Sequence, residues 1–186
     1  MQKEFDQLIS QLKKCELCKE KFGFQPHPII LGNVNSKIVQ ISQAPSATVH
    51  QTLKPFTDQS GKKLKYEWYM INDDVFYNPD NFYIAALSHC YPGKDKNGND
   101  RMPPKVCYET WIKKELEYIN NELYIIIGAK SAKIFFPSEN FNDLIFKDSY
   151  INGKLAIHDA LPIFHHHLIL NGLKIILNLW GKEFLK

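Results

Sequence analysis

The sequence predicts a three-layer α/β/α sandwich built on a central, mainly parallel sheet of four strands. Three observations carry that reading. Short β-branched and aromatic runs recur along the chain, helical patterns separate them, and no linker, repeat or low-complexity tract interrupts the series. The 186 residues match one domain, taken over residues 1–186, and a chain this long buries roughly 70% of its unfolded surface.

The elements follow in order. Residues 3–13 read as a helix, with Phe5, Leu8, Ile9 and Leu12 at helical spacing among charged and amide side chains. Gly23, Pro26 and Pro28 break the chain before the first strand, residues 37–42. A long loop follows Ala44-Pro45-Ser46, running through His50 to Phe56, and a helix begins between Asp58 and Gly61. The second strand is 82–88, running into Cys90-Tyr91-Pro92-Gly93, and 94–104 is an exposed loop. Residues 107–121 form an amphipathic helix that turns Trp111, Leu116 and Ile119 inward. The third strand is 123–127, closed by Gly128 and followed by a helix over 129–136. A fourth strand is expected over 155–164 and a final helix over 173–185.

Composition removes several classes. Hydrophobic residues at 44% and charged residues at 23% are ordinary globular values, which excludes a disordered chain. The apolar runs fall far short of the ~20 residues of a membrane span, so no membrane is expected. The first fourteen residues are charged and amphipathic and lack an apolar signal core, so a cytoplasmic protein is expected. A net charge of +3 permits a nucleic-acid partner without announcing one.

The four cysteines say more. Cys15 and Cys18 form a C-x-x-C, and Cys90 and Cys107 follow with sixteen residues between them. Reduced intracellular thiols make a disulfide framework the weaker reading. Four thiolates suit a zinc site or an iron–sulfur cluster, and the alternative is four unrelated buried thiols.

In parallel sheets ligands gather at the carboxyl ends of the strands. Three segments fall there: Ser42-Gln43-Ala44-Pro45-Ser46, Ser88-His89-Cys90-Tyr91-Pro92-Gly93 and Leu161-Pro162-Ile163-Phe164-His165. Together with Lys54-Pro55-Phe56-Thr57-Asp58-Gln59-Ser60-Gly61 and the cysteines, their order resembles the uracil-DNA glycosylase superfamily, and most nearly its iron–sulfur branch. The likeness runs nearly end to end. It implies a DNA glycosylase that removes uracil or another deaminated base from DNA, acting as a monomer. It also implies a [4Fe–4S] cluster on Cys15, Cys18, Cys90 and Cys107, with zinc as the alternative occupant. Two segments depart from the branch pattern. His166 and His167 stand where Pro-Ser follows the motif histidine, and Ala86 lies in the strand that carries a base-reading Asn. The alternative these favour is a catalytically weakened, glycosylase-like DNA-binding module; a thiol-stapled domain acting on a small nucleotide is a third reading.

Base excision needs an extruded nucleotide, a stabilised leaving base and a positioned water. By the resemblance, His165 donates a hydrogen bond to the departing base, where negative charge develops. Gln43 positions water or the base edge. Asp58 either orients water or caps the helix that follows it. Ala44, Pro45, Phe56 and Ser88 form the base pocket, Phe56 as a stacking platform worth ~1–3 kcal/mol. Ser46, Ser60, Lys62, Lys63 and His167 contact the DNA backbone, within a basic track that also includes Lys54 and Lys65.

Overall fold

A computed structural model describes residues 1–145 and 147–159. At its centre lie five strands in the order β2-β1-β3-β5-β4. They are β1 (Ile38–Ser42), β2 (Phe82–Ala86), β3 (Leu123–Ile127), β4 (Ser149–Ile151) and β5 (Lys154–Asp159). All pairings are parallel except β4 with β5. The sequence-based expectation of four strands therefore falls one short. The extra strand, β4, is three residues long, too short for a period-2 pattern to show. It turns into β5 through Asn152 (φ 51°) and Gly153 (φ 76°), the paired positive φ values of a tight hairpin.

Helices cover both faces of the sheet. They are α1 (Gln2–Leu12), α2 (Lys19–Phe22), α3 (Ala47–Thr52), α4 (Gln59–Lys62), α5 (Asp73–Phe76), α6 (Lys105–Cys107), α7 (Lys113–Tyr118), α8 (Ala129–Phe135) and α9 (Phe141–Leu144). Alternate strand residues serve opposite layers, which is why the strands read as almost continuous apolar runs. Val39, Ile41, Tyr83, Tyr124 and Ile126 pack with Phe5 of α1 and with Ile119. Ile38, Phe82, Ile84, Leu123 and Ile125 pack with Leu64, Tyr69 and Phe76.

Two expectations along the chain need correction. The stretch between Ser46 and Phe56 is not all loop, because α3 occupies its first six residues, capped by Ser46, whose hydroxyl accepts from the Val49 amide. The helix expected over 107–121 is α6, a π-helical turn (Tyr108–Ile112) and α7. A π turn spends an extra residue per winding and shifts the inward register. Ile112, Glu115 and Ile119 are buried, while Trp111 and Leu116 are only partly so.

Glu115 is the buried centre of a polar network. Its carboxylate accepts from Tyr83 Oη at 2.6 Å and from His89 Nε2 at 2.8 Å, while His89 Nδ1 lies 3.2 Å from the Ile29 carbonyl. Both ring nitrogens thus face oxygen atoms, which fixes the plane of the ring in the core. Burial, reinforced by the Glu115 charge, holds the Tyr83 hydroxyl far above its ordinary pKa. The network joins β2, the segment after it and α7 across the core.

The connection from β1 leads to β2 on one side and the chain then returns to β3 on the other. The strand order thus reverses at β1, the place where open α/β sheets form a ligand crevice. Among the described residues no helix is long and apolar enough to cross a membrane.

Candidate functional site

The carboxyl ends of β1, β2 and β3 open into a cleft of about 400 Å3. Ser42, Gln43, Ala44, Pro45 and Ser46 line it from the loop after β1. Ala85, Ala86 and Ser88 line it from the end of β2, and Ile127 and Gly128 from the end of β3. Pro55, Phe56, Asp58 and Ser60 complete that side, while Pro92, Asp100 and Arg101 reach it from the loop after β2.

Asp58 organises the first loop. One carboxylate oxygen accepts from Ser46 Oγ at 2.6 Å; the other accepts from Ser60 Oγ and the Gly61 amide, each at 2.9 Å. Burial pushes the carboxyl up, but these three donors outweigh it and hold its pKa below the ordinary value. Asp58 is thus the N-cap of α4. The same bonds turn the hydroxyls of Ser46 and Ser60 toward Asp58, and the Gly61 amide is no longer bare.

Phe56 carries a left-handed backbone, φ 55°, rare for a bulky residue, and Leu53 nearby has φ 54°. What holds that conformation is visible. Tyr77 Oη donates to the Pro55 carbonyl at 2.8 Å, the Phe56 ring meets Phe76 edge to face, and a Cβ at Gly61 would collide with the Phe56 backbone. Lys65 Nζ braces Tyr77 Oη at 3.1 Å and Asp73 at 2.6 Å. Over-determined strain of this kind is typical of ligand sites.

The basic track disperses. Lys65 is buried and paired with Asp73; burial lowers its pKa, but the bonds to Asp73 and Tyr77 raise it on balance. Lys54 lies 3.8 Å over the Tyr77 ring. Lys62 and Lys63 are exposed and do not line the cleft. Gln43 lines the cleft at the end of β1. His165 and His167, with Leu161 and Pro162, lie outside the described residues.

The thiols gather behind the cleft. Cys15, Cys18, Cys90 and Cys107 are all free and line one small cavity together with Trp111. Burial pushes the Cys90 thiol well up and Cys107 up to about 12, and the neighbouring thiols add to both. The His89 amide donates to Cys107 Sγ at 3.4 Å. Among the described residues no three His, Cys, Asp or Glu side chains form a ready single-ion site. Ser88 belongs to both cavities: it lines the cleft and the thiol site, and its hydroxyl donates to the Cys90 carbonyl at 2.9 Å.

A doubly wound sheet with a cleft at its switch point defines a ligand-binding α/β protein. The family model of the uracil DNA glycosylase superfamily matches residues 29–180, and the chain belongs to that superfamily. Its members are DNA glycosylases, so this is an enzyme of that kind at the level of the family. The match begins after Cys15 and Cys18. Reading the sequence missed Trp68 and Arg101 at the cleft and the His89–Glu115 pair. For Arg101 a signal existed, since it is the one arginine among 23 basic residues.

Proposed function

We propose that the protein hydrolyses the N-glycosidic bond of uracil or another deaminated base in DNA, as a member of the iron–sulfur branch. The observation that carries this reading is the strained Phe56 presented at a switch-point cleft in a chain of this superfamily. An extruded base stacks on the Phe56 ring, with Ala44 and Pro45 leaving room for its edge and Gln43 meeting its polar atoms. In the reaction, water oxygen bonds to C1′ while the C1′–N bond breaks. Its electron pair leaves with the base, and the water proton ends on that base. His165 donates to the base oxygen as charge builds there. Asp58 acts through its cap, fixing the loop that carries Phe56.

The four thiols suit a [4Fe–4S] cluster by donor type, and zinc by number. When bound, such a group supplies a cross-link between the N-terminal segment and the loop after β2. Anaerobically purified protein should be brown with broad visible absorption; a colourless preparation with stoichiometric zinc would decide for zinc.

One observation favours the alternative of a weakened DNA-binding module. The two carboxylates of the described cleft are both engaged, Asp58 by three donors and Asp100 by Tyr91 Oη at 3.3 Å. Single-turnover assays on oligonucleotides carrying uracil, hypoxanthine or xanthine separate the two. Base release that falls ~10²–10³-fold in His165→Ala, with DNA affinity nearly unchanged, supports the enzyme. Release of no base from any of them leaves the binding module.

A further inference from the structure

Arg101 is the only cation that lines the cleft among the described residues, where it stands with two anions, Asp58 and Asp100. It is also the one arginine of a chain that otherwise uses lysine throughout its 23 basic positions. A sequence so biased toward lysine places its single guanidinium in the lining of this cleft. The two side chains differ in kind. Lysine offers a compact, hydrated point charge, whereas arginine offers a planar fork of five donors matched to two phosphate oxygens at once.

The surroundings aim that fork. The loop from Gly93 to Arg101 is a tight hairpin, closed by the bond from the Arg101 amide to the Gly93 carbonyl at 2.9 Å. Asp95 rigidifies its tip by accepting from the Asn97 and Asn99 amides at 2.8 and 2.9 Å. The guanidinium lies over the bare backbone of Gly93, φ 79°, where a Cβ would stand 3.7 Å from Nη1 and 3.1 Å from the Phe24 ring. One long bond, 3.4 Å, ties Nη1 to the Lys21 carbonyl in α2. The other donors have no protein partner among the described residues. Asp100, beside it, is turned to Tyr91 Oη at 3.3 Å.

We infer that Arg101 is the residue that grips a phosphodiester of the DNA strand next to the extruded nucleotide, positioned by the carbonyl of Lys21. This rests on the glycosylase reading above. It also gives the N-terminal segment a part in the site. Cys18 begins the turn that leads into α2, so whatever gathers the four thiols also fixes the carbonyl that aims Arg101.

The test is the affinity of the whole protein for a labelled single-stranded oligonucleotide containing one uracil, measured against salt concentration, with free dUMP titrated separately. Arg101→Ala should weaken strand binding by roughly ten- to a hundred-fold at low salt. The slope of log affinity against log salt should fall by about one phosphate contact. Arg101→Lys should restore the slope while recovering only part of the affinity, which a merely misfolded variant would not do. An unchanged Arg101→Ala overturns the assignment and leaves the glycosylase reading standing. So does a larger loss in the Lys62→Ala/Lys63→Ala double variant, or a loss confined to dUMP. If the wild-type protein binds no strand at any salt concentration, both readings fall together.

Discussion

The loops after β1 and β2 leave the same edge of the sheet, since Ser42 and Ala86 are register partners, yet they are held in opposite ways. The first is fastened by its own neighbours. Asp58 gathers Ser46, Ser60 and Gly61, all within twelve residues, and the loop stores two left-handed residues at its surface. The second is fastened by distant partners in the core, His89 reaching Glu115 and the Ile29 carbonyl. The difference divides labour. A locally braced loop keeps Phe56 and Gln43 open to a ligand. The remotely anchored loop keeps Ser88 and Arg101 at fixed places, carries Cys90 and leads into α6, which carries Cys107.

The largest expected effect lies in the second loop. Glu115→Ala leaves the His89 ring and the Tyr83 hydroxyl buried without their shared acceptor, and stranding a buried donor costs about 1–3 kcal/mol each. Urea unfolding should show that loss, whereas Tyr83→Phe removes one donor and should cost only about 1 kcal/mol. A loss below about 1 kcal/mol in Glu115→Ala would mean that core partners do not anchor this loop.

The same contrast explains what could be read from the sequence. Asp58 capping α4, the strands 37–42 and 123–127, and the cleft residues after β1 were legible because their signals are local: a cap three residues before its amide, a short run of β-branched and apolar residues, a Pro-Phe before a glycine. The His89–Glu115 pair spans twenty-six positions, and nothing near either residue marks it. On the inward face of the 107–121 segment Leu116 and Ile119 were read as packing inward, but the fully buried Ile112 and Glu115 were missed, because the π turn departs from the 3.6-residue period on which the reading relied. Lys54 and Lys65 looked like a basic track because charge is visible in sequence, but burial and pairing are not.

A second, smaller effect lies in the first loop. Gly61→Ala places a methyl against the Phe56 backbone, and relieving that clash should cost about 1–3 kcal/mol. Because the strained Phe56 is what must move, stacking should suffer more than stability. Quenching of a fluorescent base analogue in a bound oligonucleotide would report this. Full quenching in Gly61→Ala would show that the ring needs no such support.

The smallest effect concerns Asp58 and depends on pH. As an N-cap it should be worth about 1 kcal/mol, lost in Asp58→Ala and largely kept in Asp58→Asn at neutral pH. The charge adds a second signature. Burial raises the carboxyl pKa, but Ser46, the Gly61 amide and Ser60 more than offset it, so the folded pKa lies below the ordinary value of 3.8. A lowered folded pKa means that the unfolded chain binds the proton first. The contribution is therefore complete above pH 3.8 and is lost as pH falls through the folded value. Asp58→Asn has no proton to take up there, so its melting temperature should decline less steeply than that of the wild type below about pH 4. Both chains share every other carboxylate, and the difference between their profiles isolates this one. Parallel profiles would mean that the three bonds to Asp58 do not favour its charged form, and the first loop would then owe its shape to Tyr77 and Gly61 alone.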